Sequence, residues 1–130
     1  MLFRSGLSVG SRLPAECTSM GRVLLACGDE AERARFLSRV KLVRHTPHTI
    51  TDKTRLRAEL DRVQAAGYSM VDQELEIGLR SLAVPVRRHD GVVVAAVNVG
   101  VHAGRVDLKA LTRDYLPVLQ EAAREIGANL

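Results

Sequence analysis

The stretch QELEIGLRSLAVPV, residues 73–86, places two carboxylates directly before a segment that is almost free of charge. Glu74 and Glu76 share a parity, so on an extended chain both side chains point to the same face. Two carboxylates on one face could act as a general acid and base pair. The same spacing is typical of the solvated face of a strand, and we favour that interpretation. The charged residues before an apolar strand then mark either a sheet edge or the rim of a pocket.

Cys17 is a second candidate for chemistry. It precedes Thr18 and Ser19 at the predicted start of a helix, where the helix dipole stabilises a thiolate. No signature of Cys, His and Asp accompanies it, and the sequence has no GxSxG motif, phosphate-cradling glycine loop or HExxH motif. We therefore predict no catalytic residue. An enzyme centred on Cys17 or on the glutamate pair remains an alternative hypothesis.

The pair His45 and His48 could supply two metal ligands. Zinc sites in proteins use three or four such groups, and no nearby Cys, Asp or Glu completes a set here. Thr and Pro surround the pair, which is typical of a solvated loop. We predict no metal site and no cofactor.

A small-molecule site is better supported than a catalytic one. We expect the amides of Ser19, Met20 and Gly21 to be free in the first turn of a helix, where they can receive a small carboxylate. Gly21 would let a ligand approach closely. Ser81 and Asn98 place small polar side chains on two otherwise apolar strands, although local hydrogen bonds to the backbone could explain each of them alone. Together these residues predict a pocket.

Capping residues and the spacing of apolar residues predict four helical segments. Thr18 or Ser19 caps the first, which ends at Gly28; Asp29 begins the second; Thr51 caps the third, which ends at Gly67. Inward-facing residues are expected to be Val23, Leu24 and Ala26 in the first helix, Phe36, Leu37 and Val40 in the second, and Leu56, Leu60 and Val63 in the third. The last helix, from Asp107, carries the stripe Leu108, Leu111, Tyr115, Val118, Leu119, Ala122 and Ile126, with Pro117 as a kink or restart.

The strands are expected in LSVGSRLP, YSMVDQELE, LRSLAVPV and VVVAAVNVGVHA. His89, Asp90 and Gly91 form a tight turn between the last two. Pro85 cannot donate to a sheet ladder, so an edge or bulge position is expected for it. A strand, followed by helices, antiparallel strands and a final helix, indicates an α+β domain.

Composition points to a single domain of 130 residues with an ordinary core. The longest apolar run, VVVAAVNVGV, is about half of the roughly 20 residues that cross a bilayer, so we predict no membrane contact. The N-terminus has no signal-peptide pattern, and two cysteines without one favour free thiols in a reducing cytoplasm.

The positive charge is concentrated in the first half of the chain. Residues 1–65 carry 12 Lys or Arg against 7 acids, whereas residues 66–130 carry 7 against 8. A basic half could attract nucleic acid. However, its basic residues alternate with acids on predicted helices, and the aromatic side chains that stack on bases are few. A solvated helical face is the favoured interpretation, with direct nucleic-acid binding as the alternative.

Three stretches, in order, carry a resemblance to a known family: TSMGRVLLA, HTITDKTRLRAELDRVQAAGYSMVDQELEIGLRSLAVPV and GVVVAAVNVGVHAGR. They resemble the effector-binding domain of IclR-type transcriptional regulators, from about Ser8 to the C-terminus. The variants GSRLPAECTSMGR and QELEIGLRS are most similar to the aromatic-catabolism branch, which includes regulators that respond to protocatechuate and p-hydroxybenzoate.

The resemblance implies a GAF-like antiparallel sheet flanked by helices, with one small-molecule site. The ligand contacts that it implies are Ser19, Met20, Ser81, Asn98 and Gly100. Many relatives carry an acid at the position of Val71, and here the nearest acids are Asp72 and Glu74, which we include as weaker candidates at the pocket mouth.

The resemblance also sets the functional expectations. We expect residues 1–130 to form one effector-binding domain, either complete or truncated in its first strands, without the winged helix-turn-helix domain through which the family contacts DNA. We expect a small organic acid as effector, a homodimer or tetramer, and no covalent chemistry. A purely structural dimerisation remnant is a further alternative.

Overall fold

A computed structural model describes residues 8–130 of the chain. A short 3₁₀ turn, Ala15–Cys17, precedes three helices, three strands and a C-terminal helical region. The helices are α1 (Ser19–Cys27), α2 (Glu30–Arg39) and α3 (Lys53–Ala66), and the strands are β1 (Ser69–Asp72), β2 (Leu79–Arg87) and β3 (Val93–His102). The C-terminal region comprises α4 (Leu108–Ala110), a π-helical segment (Leu111–Tyr115) and α5 (Leu116–Ala128). This order confirms the predicted α+β class.

Side-chain caps start the first three helices. Thr18, Asp29 and Asp52 each accept a hydrogen bond from an amide in the first turn that follows. The cap predicted for α3, Thr51, is wrong by one residue because its hydroxyl accepts a hydrogen bond from Arg44 instead. Gly67 ends α3 in the left-handed conformation, as predicted.

The strands form an antiparallel sheet in the order β1-β2-β3. β1 stops at Asp72, so the prediction that this strand continues through Glu76 is wrong. Gln73 has a φ of 60°, which leaves the extended region and turns residues 73–78 into a loop. The glutamate pair therefore does not share a strand face.

Pro85 fits the sheet because β1 is short. β2 is the middle strand, but its last pair with β1 is Ser69 with Ala83, so Pro85 pairs only with Ala96 of β3. This is the one-sided position that was expected. The turn between β2 and β3 contains Gly91 with a φ of 86°, also as expected.

The two faces of the sheet carry different layers. Ala83 packs with α1 and α3, in a core formed by Val23, Ala26, Leu37, Leu56, Leu60 and Val63. Successive side chains on β2 alternate, so Leu82, Val84 and Val86 lie on the other face, against α5 and the π-helical segment. The sheet is thus covered by helices on both sides.

Several expected core positions lie on the surface. Leu24 is 44% exposed, whereas Arg22 of the same helix is buried. In the last helix Val118 is 67% and Ile126 is 44% exposed, while the unpredicted Ala123 is buried. The π-helical segment has more residues per turn than an α-helix, so the residues of α5 that follow it face a different direction from the one expected for a continuous α-helix. Pro117 is the second residue of α5.

The first predicted strand is not found. Leu7 lies outside the described residues, and Ser8 to Pro14 form no strand. The amide of Ser11 donates to the carbonyl of Ser8, which closes a turn in which Gly10 has a φ of 92°. Within residues 8–130 no helix is both long enough and apolar enough to span a membrane.

Candidate functional site

A cavity of about 260 Å³ lies between the start of α1 and the sheet. It is lined by Leu13, Cys17, Thr18, Ser19, Met20, Val71, Leu75, Leu79, Ser81, Asn98 and Gly100. Pockets for drug-sized ligands are roughly 300–1,000 Å³, so this cavity suits a smaller molecule such as a single substituted ring.

Five of the eight predicted ligand residues meet in this cavity. The sheet register places Ser81 beside Val71 on β1 and beside Gly100 on β3, so the three strands contribute adjacent wall positions. Ser19 and Met20 close the cavity from the first turn of α1. Asn98 and Gly100 are exposed at the surface, which leaves the cavity open on the side of β3.

Among residues 8–130, no charged side chain lines the cavity. Its polar lining residues are Cys17, Thr18, Ser19, Ser81 and Asn98. Leu13, Met20, Val71, Leu75 and Leu79 form the apolar part of the wall. An anionic group bound here would therefore rely on hydroxyls and on the amides at the start of α1.

Sequence reasoning missed six of the lining residues: Leu13, Cys17, Thr18, Val71, Leu75 and Leu79 were not proposed as ligand contacts. Val71 was missed because the sequence does not show which strand residues pair. Val71 pairs with Ser81, which is one of the predicted ligand residues. Leu75 carried no signal, since its loop had been predicted as a strand.

Gly21 has a different role from the one predicted. It does not line the cavity, and its amide donates to the hydroxyl of Thr18 at 3.3 Å. A Cβ atom at this position would overlap with the backbone of Ala15. The glycine therefore allows the 3₁₀ turn to pack directly on α1, and we leave it out of the proposed ligand site.

The two acidic candidates also lie outside the cavity. Asp72 accepts a hydrogen bond from Arg80 at 2.8 Å, and this bond, more than the charge of the guanidinium, holds the pKa of the carboxyl below its usual range. Glu74 is buried and accepts two hydrogen bonds from Arg22. We leave both carboxylates out of the proposed ligand site.

Cys17 lines the cavity as a neutral thiol. It is only 1% exposed, and burial, reinforced by the negative charge of Glu16, raises its pKa from the ordinary 9.0 to about 11. Burial therefore disfavours the thiolate that a position at a helix start would favour. A nucleophilic role at neutral pH has no support.

His45 and His48 are both exposed. Across residues 8–130 no group of three or more metal-ligating side chains comes together.

Several arginines in the basic first half of the chain form ion pairs with carboxylates of the same chain. Arg22 pairs with Glu74, Arg33 with Asp61, and Arg62 with Glu59. This pairing lowers the charge available to a nucleic acid.

A larger depression, about 580 Å³, lies between the end of β2 and α5, and none of the eight predicted ligand residues borders it. Two of its arginines, Arg88 and Arg124, are paired with the nearby carboxylates of Asp90 and Glu121. We therefore place the candidate site in the smaller cavity.

Comparison with known proteins gives a consistent result. Residues 2–128 match the family described as "Bacterial transcriptional regulator IclR C-terminal". The chain is 48% identical over 120 residues to the Pca regulon regulatory protein of Pseudomonas putida, covering 92% of this chain and 41% of that protein. It is 37% identical over 121 residues to the p-hydroxybenzoate hydroxylase transcriptional activator of Acinetobacter baylyi, covering 93% and 45%.

One solved structure extends the comparison to the fold. It is a double mutant of the inducer-binding domain of the PobR transcription factor from Acinetobacter, in complex with 3-hydroxybenzoic acid. The TM-score is 0.87 at 36% sequence identity, and the match covers 93% of this chain and 69% of that one. The chain spans less than half the length of the two curated relatives. It belongs to the IclR family of bacterial transcriptional regulators, as a match to the family's C-terminal domain.

Proposed function

We propose that this chain is an effector-sensing domain that binds a small aromatic carboxylic acid in the cavity at the start of α1. The convergence of Ser19, Met20, Ser81, Asn98 and Gly100 in one cavity carries the proposal. The 3-hydroxybenzoic acid complex of a related inducer-binding domain supports the ligand class.

The cavity divides into regions that suit the two ends of such a ligand. The carboxylate lies over the start of α1, where the amides of Ser19 and Met20 precede the helical hydrogen-bond ladder. The ring packs between Leu75 and Leu79, and Ser81 donates a hydrogen bond from the sheet. Because no cationic side chain of residues 8–130 lines the cavity, binding to these wall residues should depend only weakly on ionic strength.

Effector binding then biases the assembly of a homodimer or tetramer. Such control requires different effector affinities for the two assembly states, because equal affinities shift no equilibrium. We assign DNA contact to a separate winged helix-turn-helix domain outside residues 1–130, in a cytoplasmic regulator. We assign this domain no catalytic residue, metal or cofactor.

Thermal unfolding against a panel of carboxylic acids tests the proposal. The panel contains 3-hydroxybenzoate, p-hydroxybenzoate and protocatechuate, with aliphatic acids of similar charge as controls. A ligand that binds only the folded state at 100 times its dissociation constant adds about 2.7 kcal/mol to the free energy of unfolding. A selective increase for an aromatic acid supports the proposal.

Two outcomes would contradict it. No shift with any acid in a folded sample would indicate a structural dimerisation module. Binding to nucleic acid that weakens steeply with salt, without any acid response, would indicate the alternative function through the basic first half.

A further inference from the structure

Arg22 and Glu74 form a buried ion pair beside the cavity. Arg22 is 1% exposed and Glu74 is 8% exposed. Both terminal guanidinium nitrogens donate to the carboxylate, Nη1 to Oε2 at 2.8 Å and Nη2 to Oε1 at 2.6 Å. This two-bond geometry fixes direction as well as distance between α1 and the loop after β1.

Further hydrogen bonds satisfy the pair. Arg22 Nε donates to the carbonyl of Glu16 at 2.8 Å, and the amide of Ile50 donates to Glu74 Oε1 at 3.2 Å. The Thr49 hydroxyl donates to the backbone carbonyl of Glu74 at 2.6 Å. Glu74 is therefore held at its side chain and its backbone, by α1 and by the segment before α3.

The ion pair lies next to the cavity, because Glu74 directly precedes a residue of the cavity wall. Leu75, which follows Glu74, lines the cavity, and Arg22 lies one helical turn after Ser19. Segment 73–78 is held in an unusual conformation at both ends. Gln73 is the only non-glycine residue with positive φ in the part of the chain described, and Gly78 has a φ of 92°. Such conformations persist when surrounding contacts enforce them.

Stability alone is a poor explanation for the pair, because replacing a buried ion pair with apolar residues often leaves a protein as stable or makes it more stable. What apolar residues do not supply is a directed link between two elements. We propose that the Arg22–Glu74 pair is a positioning element: it holds segment 73–78 against α1 so that Leu75 and the first turn of α1 form opposite walls of the cavity. The effect on ligand affinity rests on the proposed function, whereas the placement of the segment does not.

The main test replaces both partners, in the variant Arg22→Met/Glu74→Leu, which avoids leaving one charge buried without the other. Hydrogen exchange of the amides in residues 73–79 should accelerate by about tenfold or more, while exchange in α5, on the other face of the sheet, stays unchanged. If the segment holds its binding geometry only about a tenth of the time, the dissociation constant for 3-hydroxybenzoate rises about tenfold. The preference for 3-hydroxybenzoate over p-hydroxybenzoate should also change, because Leu75 moves.

Two further variants support the interpretation. Arg22→Lys keeps the charge but not the two-bond geometry and should give a smaller change in the same direction. Asp61→Asn is the matched control: it removes the charge that pairs with the buried Arg33, which links α2 to α3 away from the cavity. This control should lower the free energy of unfolding. It should not alter the hydrogen exchange of residues 73–79 or the preference for 3-hydroxybenzoate over p-hydroxybenzoate.

Unchanged exchange and unchanged affinity in the folded double variant would overturn the proposal. Loss of the whole fold in the double variant and in Arg22→Lys, with Asp61→Asn folded, would also overturn it, because the pair would then serve global stability. If the unmodified chain binds none of the acids, the proposed function fails, and hydrogen exchange alone still decides whether the pair positions the segment.

Discussion

The two faces of β2 differ in how tightly they are packed. On one face, Leu82, Val84 and Val86 are fully buried against the C-terminal helical region. On the other, Ala83 is buried under α1 and α3, but Ser81 and Leu79 border a cavity. The same strand therefore belongs to the packed core on one side and to the wall of the candidate site, two residues away, on the other. Substitutions on the two faces should separate these contributions.

The largest expected effect is on the packed face. Leu82→Ala removes a fully buried side chain and should lower the free energy of unfolding by about 2–5 kcal/mol. Urea denaturation measures this change. Val94→Ala, at an exposed position of β3, should stay within about 0.5 kcal/mol of the unmodified chain. A loss of less than about 1 kcal/mol for Leu82→Ala would show that this face is loosely packed after all.

Two glycines allow a comparison of close contacts on the two sides of the molecule. A Cβ at Gly127 would overlap with the carbonyl of Arg87, and a Cβ at Gly21 would overlap with the backbone of Ala15. Each change to Ala should cost about 1–3 kcal/mol of unfolding free energy, since backbone must move.

Only Gly21→Ala should also weaken aromatic-acid binding, because the displaced turn carries the cavity residue Cys17. Calorimetric titration beside urea denaturation distinguishes the two variants. Equal ligand affinities in both would contradict the assignment of the 3₁₀ turn to the cavity wall.

Ser81→Val tests the binding face with little change in volume. Loss of one hydrogen bond to the ligand should cost about 0.5–1.5 kcal/mol, a rise in dissociation constant of roughly twofold to tenfold. The free energy of unfolding should hardly change, because the Ser81 side chain is only partly buried. Ser38→Ala, on the exposed side of α2, removes a hydroxyl far from the cavity and serves as the control. An unaltered affinity in Ser81→Val would remove Ser81 from the proposed site.

The smallest effect at neutral pH concerns Cys17. Its pKa of about 11 in the folded chain exceeds the ordinary 9.0, so the folded state holds the proton more tightly than the unfolded state. The stability from this difference is complete below about pH 9 and is lost as the pH rises towards 11. Urea denaturation at pH 8 and pH 10 should show the loss, and Cys17→Ala should reduce it. An equal loss in both chains would assign the pH dependence to other groups.

Local chemistry predicted much of the fold. The caps Thr18 and Asp29, the stop at Gly67 and the turn at Gly91 act within a few residues, so the sequence around each one is sufficient. The errors arose where distant contacts compete with local pattern. Gln73 turns out of the strand while Thr46 donates to its carbonyl at 2.6 Å, and no local rule includes that partner.

The same distinction applies to the site. Ser19, Met20, Ser81, Asn98 and Gly100 were predicted from residue type, a helix start and a family resemblance, and they do share a cavity. Glu74 was selected as an exposed carboxylate near a pocket, yet it is buried against Arg22, 52 positions earlier in the chain. The pairing of two charges so far apart in sequence leaves no periodic signal.

The sequence by itself determined the α+β class, the family and part of the cavity wall, including Ser19, Ser81 and Asn98. Those properties follow from local capping, turn chemistry and short motifs. Tertiary structure alone decided that Gly21 packs on Ala15, that Cys17 stays protonated and that Glu74 joins Arg22. Each of these outcomes depends on burial and on directed contacts between distant segments, which exist only once the sheet and helices have packed together.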